Sequence, residues 1–307
     1  MPVVVLFNPV SGVGRALAAA ERLAQGLRAA GVEIRLLPTE RRPANEWLRP
    51  ALADARLLVV CGGDGAVRMS AIEAARASVP LWHAPCGTEN LFARTFGMTA
   101  EPAAVARALA ADRTTRLDLG RVDDESFAIM ASVGFDAEVV HLVAARRTGA
   151  ISHLSYARPI LELAATWRAS RLAWTIDGEH EELGEGIVVV GNMRAYGVGL
   201  NPAAEAVHDD GLLDSVFIPA RRALDLLPWA LLLRLGLAHR LPDWIAPHGG
   251  GHRMRRGAQI ELISEPAARL QLDGDPSALS ASAGSSDRVV RRRFWAEPGA
   301  LRVLLPG

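Results

Sequence analysis

Short apolar runs alternate with longer amphipathic stretches over the first part of the chain. The run Val3–Phe7 is entirely apolar, as expected of a buried strand, and Arg15–Ala30 has the composition of a helix that ends at Gly31. Further strands are predicted at Val32–Leu37, Arg56–Cys61 and Val79–His83, and further helices at Ala44–Ala53, Ala66–Arg76, Glu89–Phe96 and Ala103–Ala111. This alternation predicts βαβ units and an α/β domain with a parallel sheet over residues 1–115.

From Thr115 onward, strand patterns dominate. The predicted strands are Arg116–Val122, Ser126–Val133, Arg171–Ile176, Gly186–Val190, Leu212–Ile218, Gln259–Ile263, Ala268–Leu272, Val289–Phe294 and Leu301–Leu305. Helical patterns interrupt them at Ala137–Arg147, His153–Arg168 and Arg221–Arg240. The pattern therefore predicts a second, mainly antiparallel β domain over residues 116–307.

The last of these helical segments is unusually apolar. It contains the run Leu-Leu-Pro-Trp-Ala-Leu-Leu-Leu, with arginines on both flanks. Such a segment fits either a membrane surface or a protein core. Because Pro228 interrupts the pattern, packing in the core is the favoured interpretation.

Composition narrows the possible classes of protein and site. The formal net charge is zero, so no overall basic field attracts nucleic acid, which is not expected as a partner. All 34 basic residues are Arg, which excludes a G-x-x-x-x-G-K-[ST] phosphate loop. Cys61 and Cys86 follow apolar runs and are predicted to be buried thiols, as fits a reducing cytoplasm. Neither a signal peptide nor a run of about 18 apolar residues is found, so no leader and no transmembrane helix are expected.

Three glycine-containing loops follow successive strands of the predicted parallel sheet. They are Asn8–Gly12, Gly62–Gly65 and Gly87–Asn90. Each has a purely structural alternative: a tight turn for the first, a cap by Asp64 on a helix near Ala66 for the second, and Thr88 as an N-cap for the third. Parallel strands end at one edge of a sheet, and glycine lets backbone approach a phosphate closely, so the three loops together predict a nucleotide site. Asp64 would hold a water of Mg²⁺ or a substrate hydroxyl there.

Two acidic segments lie in the predicted β domain. Asn201–Ala204 is followed by Asp209–Asp214, which is either a cation site or a solvated Asp-Gly turn. Leu272–Asp275 is either a hairpin turn or the position of a carboxylate that accepts a hydroxyl proton.

Taken together, these motifs resemble those of the diacylglycerol kinase catalytic-domain family, which also includes sphingosine, ceramide and bacterial lipid kinases. The family signatures N-P-x-S-G, G-G-D-G-T, G-T-x-N, N-P-x-A…D-G-x-L-D and D-G-E match Asn8–Gly12, Gly62–Ala66, Gly87–Asn90, Asn201–Asp214 and Asp273–Asp275. Gly134-Phe135-Asp136 resembles a further G-F-D segment. The motifs keep the order and spacing of the family across nearly the whole chain.

The resemblance implies an ATP-dependent lipid kinase with an α/β nucleotide domain and a β-sandwich lipid domain. The last ~12 residues would pack back on the first domain. The residues implied to bind ATP are Asn8, Ser11, Gly12, Thr39, Gly62, Gly63, Asp64, Gly65, Thr88 and Asn90. A structural Mg²⁺ would be held by Asp210 and by the carbonyls of Val207 and Leu212. Asp273 would be the proton acceptor, with Asp64 as the second catalytic residue.

The chain departs from the family signatures at four positions, Ala66, Arg68, Leu91 and Asp275. These departures leave open a catalytically weak nucleotide- or lipid-binding relative. An NAD kinase-like enzyme is a second alternative, because its superfamily shares the G-G-D-G loop. The resemblance also implies a lipid substrate such as diacylglycerol or a sphingoid base, a cytoplasmic protein peripheral to the membrane, and a possible homodimer.

Overall fold

The computed structural model describes residues 1–9, 14–146, 153–238, 251–280 and 288–307. The chain divides into two compact units. Among the described residues, the first unit comprises 1–119 and 298–307, and the second comprises those between 120 and 297.

The first unit is built on a parallel sheet with the strand order β2-β1-β3-β4, and the end of β15 pairs with β4. Its strands are β1 (Val3–Phe7), β2 (Ile34–Pro38), β3 (Leu57–Gly62), β4 (Leu81–Pro85) and the start of β5 (Thr114–Val122). Its helices are α1 (Arg15–Ala29), α2 (Ala44–Ala51), α3 (Asp64–Arg76), α4 (Leu91–Phe96) and α5 (Pro102–Ala111). Strands β1 and β3 are buried along their whole length, which explains their continuous apolar runs.

Helix α1 shows how the sequence pattern directs packing in the first unit. Its buried residues include Ala16, Ala20, Leu23 and Leu27, which recur every three to four positions and so form one face. The helix ends before Gly31, whose φ of +79° is a backbone conformation that glycine adopts without strain.

The second unit is mainly antiparallel. Its strands are β6 (Glu125–Phe127), β7 (Met130–Val133), β8 (Ser170–Ile176), β9 (Glu179–Gly191), β10 (Leu213–Pro219), β11 (Arg253–Gly257), β12 (Gln259–Glu265), β13 (Leu270–Leu272), β14 (Asp275–Pro276) and most of β15 (Val290–Leu304). The first half of β9 pairs with β8, and its second half pairs with β7 and β10. Phe127, Trp174, Phe217 and Phe294 are buried in the main core cluster of this unit. The two units confirm the predicted fold class.

Three helices, α6 (Phe135–Ala145), α7 (His153–Thr166) and α8 (Leu226–Arg234), accompany the second sheet. The single helix predicted over Arg221–Arg240 is wrong in its extent, because a 3₁₀ turn at Ala223–Asp225 precedes the shorter α8. Pro228 does not interrupt α8, since it lies in the first turn, where a helix does not need the missing N–H. Within the described ranges, no helix is both long and apolar enough to cross a membrane.

Candidate functional site

The glycine loops of the first unit meet at one edge of its parallel sheet. The strand register places Phe7 beside Pro38 and Cys61, and Gly62 beside Pro85, so the four strands end at nearly the same level. Backbone hydrogen bonds continue past the strand ends, from Thr39 N to Phe7 O at 2.9 Å and from Cys86 N to Gly62 O at 2.8 Å. Strand pairing therefore brings together the loops that begin at Asn8, Thr39, Gly63 and Cys86. Ser11 and Gly12, also predicted to bind ATP, lie outside the described residues.

Two of these loops approach each other so closely that Gly87 has no room for a side chain and Gly63 has little. A methyl group on Gly87 would lie 2.6 Å from Gly63 Cα, and one on Gly63 would lie 3.3 Å from Gly87 Cα. The first distance is a backbone clash that no side-chain rotation relieves. The glycines of the second and third motifs thus serve loop packing directly.

Asp64 forms a link between these two loops that its sequence neighbourhood does not suggest. Its Oδ2 accepts a hydrogen bond from Leu91 N and its Oδ1 accepts one from Phe92 N, both at 3.0 Å. The expected alternative, a cap on a helix near Ala66, is wrong, because α3 begins at Asp64 itself with Gly63 as its N-cap. The carboxylate instead satisfies the free amides at the start of α4, where a negative charge is favourable.

Asn90 shapes the third loop. Its Oδ1 accepts a hydrogen bond from Gly87 N at 2.8 Å, and its Nδ2 donates to Gly87 O at 2.9 Å. It occupies the N-cap of α4 with a φ of +50°, a conformation that Asn tolerates better than most residues. The alternative with Thr88 as N-cap is therefore wrong, and a helix start at Glu89 is two residues too early.

His83 contacts the first glycine of the second motif, and this role was not predicted from the sequence. It is fully buried on β4, and its Nε2 lies 2.9 Å from Gly62 O. Because a carbonyl oxygen only accepts, Nε2 must carry the proton and donate it. Burial lowers the pKa of His83, so the ring is neutral at pH 7. A histidine inside an otherwise apolar strand was the available signal.

In the second unit, Asp273 and Gly274 form a two-residue turn that joins β13 to β14, with Leu272 paired to Asp275. Asp273 has a φ of +50° and Gly274 a φ of +84°, as the turns of tight hairpins require. Of the two sequence alternatives, the hairpin is present. It places two carboxylates, Asp273 and Asp275, two residues apart.

The Asp273 carboxylate is held by backbone amides of a distant segment. Its Oδ2 accepts from Ala128 N at 2.7 Å, and its Oδ1 accepts from Ile129 N and Met130 N at 2.9 Å each. The residue is 8% exposed, whereas Asp275 is half-buried. Asp273 therefore has a structural role in fixing the hairpin to the segment that leads into β7.

A side-chain network extends from the hairpin to the G-F-D segment. Gln271 accepts from Gly274 N at 2.8 Å and donates to Ser132 Oγ at 2.6 Å. Ser132 donates to Asp136, and Tyr196 donates to the same carboxylate oxygen at 2.7 Å. Burial, reinforced by Asp136, raises the pKa of the Tyr196 phenol, so it remains a donor. Gln271, Ser132 and Tyr196 were not predicted, because no local pattern marks them.

The acidic turn offers carboxylate and carbonyl oxygens to a cation, but the Arg256 guanidinium of β11 already lies beside it. Asp210 Oδ1 accepts from Leu212 N at 3.0 Å. Arg256 donates to the buried Asp214 carboxylate at 3.0 Å and to Glu205 O at 2.8 Å, and its guanidinium lies 3.7 Å from Asp210 Oδ2. Burial raises the pKa of Asp214 even beside this arginine.

The predicted Mg²⁺ ligands fit that ion in donor chemistry, since Mg²⁺ prefers carboxylate, carbonyl and water oxygens. Asp210 would supply the carboxylate, and Val207 and Leu212 would supply carbonyls. Asp214 would remain the partner of Arg256. The described residues contain no cluster of three or more His, Cys, Asp or Glu side chains that could hold a metal.

Arg256→Met is expected to lower the stability of the second unit by about 2–3 kcal/mol, because it leaves the buried Asp214 without a counter-charge. The expected loss of stability is smaller than that for a fully buried ion pair, because the Arg256 side chain is 36% exposed. Thermal unfolding would show a fall in Tm of roughly 4–12 °C. Arg255→Met is the matched control, because the ion pairs of Arg255 with Glu179 and Glu181, at 3.8 and 3.9 Å, are longer than hydrogen bonds. Equal melting of the two variants would contradict this role for Arg256.

The chain matches two protein-family models that together span most of its length. Residues 2–122 match the diacylglycerol kinase catalytic domain. Residues 129–305 match the YegS C-terminal NAD kinase beta sandwich-like domain.

Individual relatives point to the same family. A Mycobacterium tuberculosis protein named "Diacylglycerol kinase" is 33% identical over 221 residues, which cover 69% of this chain and 71% of the relative. A Pseudomonas fluorescens protein named "Probable lipid kinase YegS-like" is 33% identical over 291 residues, covering 91% of this chain and 88% of the relative.

Solved structures share the fold. A crystal structure described as a diacylglycerol kinase from Bacillus anthracis aligns with a TM-score of 0.67 at 17% identity, covering 99% of this chain and 96% of the other. A second structure from the same organism aligns with a TM-score of 0.72 at 19% identity, covering 99% and 95%. With both family models and long relatives in agreement, the chain belongs to the family of diacylglycerol kinases and YegS-like lipid kinases.

Proposed function

We propose that this protein is an ATP-dependent kinase that transfers the γ-phosphate of ATP to a hydroxyl group of a lipid, such as diacylglycerol or a sphingoid base. The observation that carries the proposal is the edge of the first sheet. There, two glycine loops pack backbone against backbone, and the Asp64 carboxylate joins them at the start of α4. Backbone amides at helix starts and glycine turns are suited to phosphate groups.

In this mechanism the chain mainly binds and orients. The loops at Asn8, Thr39, Gly62–Gly65 and Thr88 hold the nucleotide, and Asp64 and Asn90 fix the loop geometry. Phosphoryl transfer passes through a loose transition state, so positioning and charge neutralisation supply most of the acceleration. Bound Mg²⁺ would neutralise phosphate charge and supply water ligands that Asp64 can orient.

A carboxylate of the Asp273–Asp275 hairpin accepts the proton of the lipid hydroxyl in this proposal. Asp273, the acceptor that the family resemblance implies, stays a prediction. Its two oxygens already accept three amide hydrogen bonds in a buried position. Because a general base must reach the substrate, we favour Asp275, which is more exposed. The network through Gln271 and Ser132 positions either carboxylate.

The proposal also places the protein in the cytoplasm at the surface of a membrane, since its substrate resides in a bilayer. An NAD kinase-like activity remains the second candidate function, because the family model of the second unit is described as NAD kinase beta sandwich-like.

The direct test is transfer of labelled γ-phosphate from ATP and Mg²⁺ to detergent-dispersed diacylglycerol, sphingosine, ceramide and glycerophospholipids, with NAD as an additional acceptor. We expect a labelled lipid, and expect it to disappear in the Asp64→Asn and Asp275→Asn variants. Label in NAD alone would establish the second candidate. No product with any acceptor, despite measurable ATP binding, would indicate a relative that binds nucleotide without transferring phosphate.

A further inference from the structure

Helix α8 and the 3₁₀ turn before it carry a row of exposed leucines. Leu224, Leu227, Leu231 and Leu235 are 60–64% exposed. They are spaced three or four residues apart, so the helical members lie on one side of α8. Exposed leucines are common singly, whereas a row of four on one helical segment marks an interaction surface. This set is called the leucine face below.

Core packing accounts for only the opposite side of α8. Trp229 and Leu233 are 1% and 8% exposed and belong to a buried cluster that also contains Trp167 and Ala223. The core-packing interpretation of this segment is thus correct for these residues and wrong for the leucine face. Burial in the core therefore does not account for the leucines on the exposed side.

Helix α7 also carries exposed leucines. The chain that follows α7 is joined to the start of the leucine-face segment by a hydrogen bond from Ala169 N to Arg221 O at 3.2 Å. Leu154 and Leu161 of α7 are 84% and 73% exposed and lie two turns apart on one side of the helix. Two neighbouring elements therefore both leave leucines in water.

Arginines border the leucine face. Arg221, Arg222 and Arg234 are exposed in the same segment, although the chain as a whole has no net charge. The acidic residue between them, Asp225, accepts hydrogen bonds from Arg221 N and Arg222 N at 2.8 and 2.9 Å. Glu185 pairs with Arg221 at 3.1 Å, which leaves the segment still positive. Guanidinium groups beside an apolar face match phosphate headgroups above acyl chains.

We propose that the leucine face, with the exposed leucines of α7, docks on a bilayer that contains anionic phospholipid. The leucines enter the boundary between headgroups and acyl chains, and the arginines pair with phosphates. The inference rests on the proposed lipid-kinase function, which requires the protein to reach a substrate in a bilayer. No membrane-spanning helix is found in the described residues, and the leucine face would supply the contact.

The test is flotation of the purified protein with vesicles of phosphatidylcholine, with and without phosphatidylglycerol, in the absence of ATP. Leu227→Gln combined with Leu231→Gln is expected to lower the partition onto phosphatidylglycerol vesicles by roughly tenfold for each leucine. Wild-type binding should weaken with added salt and without phosphatidylglycerol. Val289→Gln is the matched control, since Val289 is an exposed apolar residue of the same unit outside this surface.

Three further measurements keep the outcomes separate. Circular dichroism should show unchanged melting for the double variant, because both leucines are exposed. Unchanged flotation of a folded double variant would overturn the proposal. Light scattering that shows a wild-type dimer and a monomeric variant would also overturn it, because the leucine face would then be a contact between two copies of this chain. Loss of flotation in the variant supports the proposal even if the phosphate-transfer assay yields no product, so failure of the kinase function is recognised independently.

Discussion

Asp275→Asn is expected to lower kcat for lipid phosphorylation by roughly 10²- to 10⁴-fold, the usual contribution of a general base. Asn has nearly the shape of Asp but cannot accept the hydroxyl proton. Because Asn keeps the size of the Asp side chain, we expect the Tm and the KM for ATP to change far less than kcat. The measurement is steady-state kinetics with diacylglycerol, alongside thermal unfolding of the same preparation.

Asp273→Asn is expected to behave differently. An amide side chain has one acceptor oxygen, and its NH₂ group would face a backbone N–H donor among those of Ala128, Ile129 and Met130. Stability should fall by roughly 2–4 kcal/mol, because hydrogen bonds to a charged group are lost and buried amides are left unpaired. Activity falls with it, since the hairpin that carries Asp275 loses its attachment.

The control is a second Asp-Gly hairpin in the same unit. Asp177 also has a positive φ, and its carboxylate accepts from Ala258 N at 3.1 Å and from Gln259 N at 2.9 Å. Asp177→Asn should lower stability without lowering kcat of the folded protein. Our assignment fails if Asp275→Asn keeps near-normal kcat while Asp273→Asn, measured where it is folded, loses activity by orders of magnitude. Asp273 would then be the proton acceptor.

The parts of the fold that the sequence predicted are those set by short-range patterns. A continuous apolar strand such as β3 and a periodic helix such as α1 follow from neighbours within a few positions. The glycines of the loops were also visible, since Gly63 and Gly87 stand where strands end. Helix ends were less predictable, because a distant group can satisfy them: α4 begins where the Asp64 carboxylate meets its amides.

Most of the site roles that could not be predicted depend on residues far apart in the chain. The amides that hold Asp273 lie more than 140 positions before it. Arg256 meets Asp214 across 42 positions, and His83 meets Gly62 across 21. A single sequence gives the chemical type of each group but not its partner. Aspartates were therefore expected to face ligands, whereas the structure shows Asp64 and Asp273 engaged by protein amides.

Asp64→Asn is expected both to destabilise the first unit and to abolish measurable phosphate transfer. The carboxylate accepts two amide hydrogen bonds at the start of α4, and replacing one oxygen by NH₂ loses one bond and opposes a donor to another. We expect a loss of roughly 2–4 kcal/mol, which thermal unfolding without nucleotide measures. Asp54→Asn is the control, because Asp54 is an exposed carboxylate of the same unit that pairs with Arg35.

Nucleotide binding then separates the two roles of Asp64. Because the carboxylate ties the third loop to the second, its loss should weaken ATP binding even without Mg²⁺, as isothermal calorimetry with and without the ion would show. A variant that melts like the wild type and binds ATP normally without Mg²⁺, yet transfers no phosphate, would contradict the structural role and leave Asp64 acting through the ion alone. A variant that melts at a lower temperature and also binds ATP more weakly without Mg²⁺ would show that phosphate binding by the loops depends on Asp64 holding them together.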